Sequence, residues 1–159
     1  MSILSRTAVL KLVAADEIAI APFDPKLLGE DGTYPLSFGT KITWPQSTNQ
    51  QFRHGIDLRH LSEVQYAHVT IGSDGYELDP GRFVVIQSAE RVRLGKAVFG
   101  LLSTRRPLAM CGLDVTQASI FIPPGADGLL DLETSNRGSC RVRIFPGVPA
   151  VKIVFMSVT

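Results

Sequence analysis

Cysteine is scarce, with only Cys111 and Cys140 in 159 residues. Two thiols without ligand-spaced partners make neither a disulfide framework nor a zinc site, and they read as reduced, small core hydrophobes. An excess of one charge is also missing: sixteen Lys and Arg face fifteen Asp and Glu, a net charge of +1. No global field draws such a chain to nucleic acid or to a membrane surface. No run approaches the ~20 apolar residues of a membrane span. The apolar stretch of Met1 to Val13 is broken by Arg6 and Lys11 and lacks a small-residue cleavage site, which argues against a signal peptide. The expectation is a cytoplasmic protein with no nucleic-acid and no membrane partner. Also absent are a Gly-x-x-x-x-Gly-Lys-[Ser/Thr] phosphate loop, a Gly-x-Ser-x-Gly elbow and a His-Glu-x-x-His pair.

What is present is a chain fit to bury a core. Hydrophobic residues make up 45% and charged residues 19%, which excludes intrinsic disorder. The length suits one domain over 1–159, burying about two thirds of the extended chain's surface. One segment has helical period: Ser5 can cap it, and Ala8, Val9, Leu12 and Val13 form a single stripe, so a helix is predicted from Ser5 to about Ala15, with Pro22 and Pro25 beyond it. Afterwards short strands alternate with turns. Tyr34 to Ile42, Val69 to Ile71, Phe83 to Ile86, Val98 to Leu102, Ile120 to Ile122, Leu129 to Leu132, Arg141 to Phe145 and Val151 to Phe155 read as strands. Asp79-Pro80-Gly81, Pro123-Pro124-Gly125, Asn136-Arg137-Gly138 and Pro146-Gly147 read as turns. The fold class is therefore mainly β, a sandwich or barrel with one N-terminal helix. Polar Pro45 to Arg53 reads as a surface loop.

Few residues stand out chemically. His54, His60 and His68 are spaced by six and eight, and they read as exposed loop histidines rather than a metal site. Arg105 and Arg106 form the only adjacent basic pair, just past the strand Val98 to Leu102. Two guanidiniums there can hold phosphate oxygens through bidentate bonds, or stand as a solvated pair or an intersubunit salt bridge. In Leu130-Asp131-Leu132-Glu133 the strand period puts both leucines on one face and both carboxylates on the other. Glu133 can serve as a general base, or simply face water or pair with an arginine.

In their order, these motifs resemble the dCTP deaminase branch of the dUTPase-like superfamily. The resemblance runs through Ile18-Ala19-Ile20-Ala21-Pro22-Phe23-Asp24-Pro25, Thr33-Tyr34-Pro35-Leu36-Ser37-Phe38-Gly39, Leu78-Asp79-Pro80-Gly81-Arg82-Phe83-Val84 and Glu90 to Leu94. It continues through Arg105 to Leu113, Ile122-Pro123-Pro124-Gly125-Ala126-Asp127-Gly128, Leu132-Glu133 to Asn136, and Ile144-Phe145-Pro146-Gly147 to Val154-Phe155, covering nearly the whole chain. It implies a distorted β-barrel or jelly-roll subunit in a homotrimer, with deoxynucleotide sites between subunits. It also implies that Glu133 activates water for attack on cytosine C4 without a metal, and that Arg105 is the first arginine of a nucleotide motif. Magnesium would enter only with a nucleoside triphosphate.

The departures fall at the implied site. Arg106 and Pro107 replace two motif serines, Met110 replaces the second motif arginine, Thr116 a histidine and Pro123 an aspartate. Pro and Met carry no side-chain donor for a nucleotide or a water. The chain ends at Thr159, so the family's tail that closes over the triphosphate is expected to be missing. Three functions follow from this. One is dCTP deamination, another is a non-catalytic trimeric scaffold or binding module, and the third is an altered nucleotide enzyme in which Arg106 supplies phosphate affinity. The lost hydroxyls and guanidinium favour catalytic loss.

Overall fold

A computed structural model describes residues 2–46 and 55–158. Its organising element is β3 (Tyr34–Pro45), whose two halves belong to different layers. The first half pairs antiparallel with β12 (Pro149–Ser157), Tyr34 opposite Ile153. The second half pairs with β6 (Phe83–Leu94), Ile42 opposite Ile86, and with β4 (Tyr66–Thr70). The bend falls at Gly39, where a Cβ would come within 2.6 Å of the Gln87 carbonyl oxygen. Only glycine fits so close to a neighbouring backbone.

From β3 the sheet extends both ways. Beyond β6 lie β10 (Asp127–Asn136) and β8 (Leu113–Asp114); beyond β12 lie β7 (Val98–Thr104) and β9 (Phe121–Ile122). The terminal strands β8 and β9 are joined by Val115 to Ile120 alone, so the two ends of the sheet lie within about 25 Å of each other. The sheet is curled into a half-barrel. Flanking strands β1 (Ser2–Ile3) and β2 (Ile18–Ala21) pair with β12 and β6, while β5 (Tyr76–Leu78) and β11 (Val142–Ile144) form a separate ribbon. Strand interiors supply the core: Leu36, Phe38, Ile42, Ile86, Val92, Ile153 and Phe155 are fully buried. Each such side chain stabilises the fold by roughly 1.5–3 kcal/mol relative to exposure.

The helix α1 (Arg6–Ala14) forms where the periodicity places it, with Ser5 accepting a bond from the Ala8 N–H at 3.3 Å. Val9 of its stripe is buried against the core. What stops α1 is Asp16 in the left-handed region at φ 60°, well before Pro22.

Several expectations are corrected. Cys111 and Cys140 are both exposed free thiols rather than core residues, because each sits at the edge of a turn. A second helix, α2 (Arg106–Met110), forms inside the Arg105–Leu113 motif; five residues are too few to show a period. His60 lies in a 3-10 helix (Leu58–Glu63) and His68 on β4, both exposed, while His54 and most of the predicted Pro45–Arg53 loop lie outside the described residues. Among the described residues, no helix is long and apolar enough to cross a membrane.

Candidate functional site

The first candidate region is built around the segment that closes the half-barrel. Glu133, half-buried on β10, follows buried Leu132, and Asp131 is exposed, so the expected division of faces is found. The Glu133 carboxylate accepts the Ala118 N–H at 2.9 Å and the Ser119 N–H at 3.1 Å on Oε2, and the Ser119 hydroxyl at 2.9 Å on Oε1. Charge-assisted bonds of this kind are about twice as strong as neutral ones. They stitch residues 118–119 to β10.

The same segment is stitched to β7 on its other side. The Thr104 hydroxyl accepts the Val115 N–H at 3.0 Å and lies 3.1 Å from the Thr116 hydroxyl. The Leu102 N–H donates to the Ile120 carbonyl at 2.8 Å. Thr116, where the resemblance places a histidine, is thus a link in the barrel closure.

Arg105 follows Thr104 at the end of β7 and caps α2 with its backbone: its N–H donates to the Ala150 carbonyl at 3.0 Å, and its own carbonyl accepts from Leu108 and Ala109. Arg105 also borders a groove of about 430 Å³, lined besides by Thr33, Asp31 and Lys152. Arg106 is exposed on α2 and does not border that groove. Pro107 fits α2 because the first turn of a helix needs no N–H donor there. The exposed residues of α2 are Arg106, Pro107, Ala109 and Met110, the last 77% exposed. Among the described residues of one chain, no hydrogen bond or ion pair joins Glu133 to Arg105 or Arg106.

Electrostatics at the groove are mixed. Asp31 accepts both the Thr33 hydroxyl (2.8 Å) and the Thr33 N–H (3.1 Å) on Oδ1. The Thr33 hydroxyl foremost, with the Thr33 N–H and the Lys152 ammonium also contributing, holds the Asp31 carboxyl below its ordinary range. Lys152 Nζ lies 4.0 Å from Asp31 Oδ2. Sequence reasoning passed over Lys152, Asp31, Ser119 and Thr104. The available signal was Lys152 itself, a charge interrupting the apolar run Val151 to Phe155.

Comparison with known proteins decides the family. A model described as dCTP deaminase-like matches residues 3–158. The chain belongs to the dCTP deaminase-like family. Among its relatives, the dUMP-forming dCTP deaminase of Methanoregula boonei is 26% identical over 143 residues, covering 90% of this chain and 75% of that protein. The dCTP deaminase of Natronomonas pharaonis is 28% identical over 156 residues, covering 96% and 79%. Among solved structures, the 2'-deoxycytidine 5'-triphosphate deaminase of Agrobacterium tumefaciens superposes with a TM-score of 0.71 at 18% identity over 99% of this chain. This chain spans about half of that one, 48%. The dUTPase of Streptococcus mutans gives 0.53 at 14% identity, covering 89% and 95%. These likenesses establish the dUTPase-like fold that the motif order implied.

Proposed function

We propose that this family member binds deoxynucleotides between the subunits of a homotrimer and deaminates dCTP very slowly or not at all. The observation that carries this is the surface of α2. Where the resemblance places two serines and an arginine, α2 presents Arg106, Pro107 and Met110. A general base alone contributes ~10²–10⁴-fold, far less than whole-enzyme accelerations. The remainder comes from donors that position the nucleotide and the attacking water, and Pro107 and Met110 supply none. The engagement of both Glu133 oxygens by residues 118–119 supports the same reading.

A second reading is a working dCTP deaminase. It is favoured by the retained Glu133 and by relatives that bear that name. Glu133 would then take a proton from water as the oxygen attacks cytosine C4, and return it to the departing ammonia.

Incubation with dCTP, following dUTP and dUMP by chromatography, separates the two. The expected outcome is conversion far below the ordinary enzymic range of ~1–10³ s⁻¹. Turnover within that range, abolished by Glu133→Gln, would establish the second reading instead.

A further inference from the structure

A cavity of about 580 Å³ opens where β3 ends and β6 begins, bordered by Trp44 and Ala67 on the sheet and by Tyr76 and Leu78 of the ribbon strand β5. Volumes of this order suit small-molecule ligands, and the end of a barrel is a common place for them. The cavity lies apart from Glu133. Neighbouring residues of a strand face opposite sides of the sheet, and Thr43 and Glu133 both lie opposite Val85 of β6. Trp44, next to Thr43, therefore shares the face of buried Val84, while Glu133 belongs to the other face.

The apolar part of the cavity is aromatic. Trp44 and Tyr76 pack against the core and border the cavity, as does Phe83, which is 38% exposed. Among the described residues none of the three stacks on another ring, which leaves their faces to a ligand. Glu77 and Asp79 also border the cavity, but both are already engaged. Glu77 accepts Arg143 on Oε1 at 2.6 Å and Arg141 on Oε2 at 2.7 Å, and Asp79 Oδ1 accepts Arg141 at 2.6 Å. Arg82 is left over. Its backbone is fixed, its N–H donating to the Asp79 carbonyl at 3.1 Å and its carbonyl accepting the Asn136 N–H at 3.0 Å. Its exposed side chain makes no ion pair or hydrogen bond among the described residues.

From this we infer that the cavity is a second binding site, for a flat aromatic ring that carries an anionic group, with the ring against Trp44 and Tyr76 and the anion on Arg82. A guanidinium fork matches a carboxylate or a phosphate equally, so an aromatic acid and a mononucleotide share the required chemistry. The site does not depend on the deoxynucleotide reading, because Trp44 and Glu133 lie on opposite faces of the sheet.

Trp44 is the only tryptophan of the chain, so its indole N–H gives a single signal in a two-dimensional NMR spectrum of the nitrogen-labelled protein. Titration with naphthoate and, separately, with UMP should move that signal saturably in at least one arm, and the tighter arm identifies the source. The uncharged partners, naphthalenemethanol and uridine, should bind at least about tenfold more weakly, the scale of one lost charge-assisted bond. Arg82→Gln, which removes no hydrogen bond or ion pair among the described residues, should weaken the charged ligand by a similar factor and leave its uncharged partner within about twofold. An indole signal that stays still in both arms overturns the site. Equal affinity for a charged ligand and its uncharged partner, or an Arg82→Gln variant that binds like the parent, overturns it too. Calorimetric binding of dCTP with the Trp44 signal still in every arm keeps the deoxynucleotide reading and removes this one.

Discussion

Asn136 is fully buried and uses its whole amide: Nδ2 donates to the Leu78 carbonyl at 2.9 Å and the Cys140 carbonyl at 2.8 Å, and Oδ1 accepts the Gly138 N–H at 3.0 Å. One side chain therefore anchors β5, the end of β10 and the turn leading to β11. Asn136→Ala strands three backbone groups, at a cost on the order of 3 kcal/mol. In a chain of this size that lowers Tm by roughly 6–12 °C, which differential scanning calorimetry reads directly. A change under about 2 °C would mean that water replaces the amide. Asp57 gives a residue-scale pH prediction. Its bonds to Arg59, with His60 assisting, hold its carboxyl at about 2 instead of 3.8. A depressed carboxyl contributes stability above its unfolded value and loses it as pH falls through the folded one. Local order at the start of the 3-10 helix should therefore persist at pH 4 and fail as pH approaches about 2. The Arg59 amide, donating to Asp57 at 3.0 Å, reports this in a two-dimensional NMR titration. A midpoint near 4 would show that the bond does not hold in solution.

At the scale of elements, β3 decides the architecture, because it serves both layers and must bend between them. A methyl group at Gly39 meets two backbone oxygens, Gln87 at 2.6 Å and Ser88 at 2.9 Å, neither of which can rotate away. Gly39→Ala should destabilise by about 1–3 kcal/mol, measured by urea unfolding. A neutral substitution would show that the bend relaxes freely. Elements with a strong local period were legible without coordinates: α1 from its cap and stripe, and β10 and β12 from their apolar runs. Those made by tertiary pairing were not. The strand β8 is two residues long and exists because Asn136 lies opposite Leu113; α2 is a single capped turn with one half-buried leucine. The candidate site divides in the same way. Glu133 is legible because strand alternation places it beside Asp131 and away from the leucines. That Lys152 comes to the same groove as Arg105 depends on the register between β7 and β12, which no local pattern encodes. The cysteines were misread because their small size and apolarity do not distinguish a core position from the end of a turn.

The whole molecule has more surface than a compact monomer of its mass. The accessible area is 9445 Å², about a fifth above the ~7,800 Å² that size scaling gives for 17.3 kDa. Large apolar side chains contribute to it: Leu58 is 77% exposed, Ile3 66% and Phe121 62%. These lie on different elements, the 3-10 helix, β1 and β9. Apolar surface of this kind suits a heterologous contact, in which each copy offers one surface to a different surface of the next, and such contacts can close into rings. A ring also offers a site shared between subunits, since among the described residues Glu133 and Arg105 have no direct bond within one chain. Multi-angle light scattering at micromolar concentration should therefore give three times the 17.3 kDa chain mass. Replacing Phe121 by a charged residue should lower that mass if β9 lies in the contact, because an unpaired charge in an apolar interface costs several kcal/mol. A chain mass of 17.3 kDa for the unaltered protein would remove the trimer, and with it any site shared between subunits.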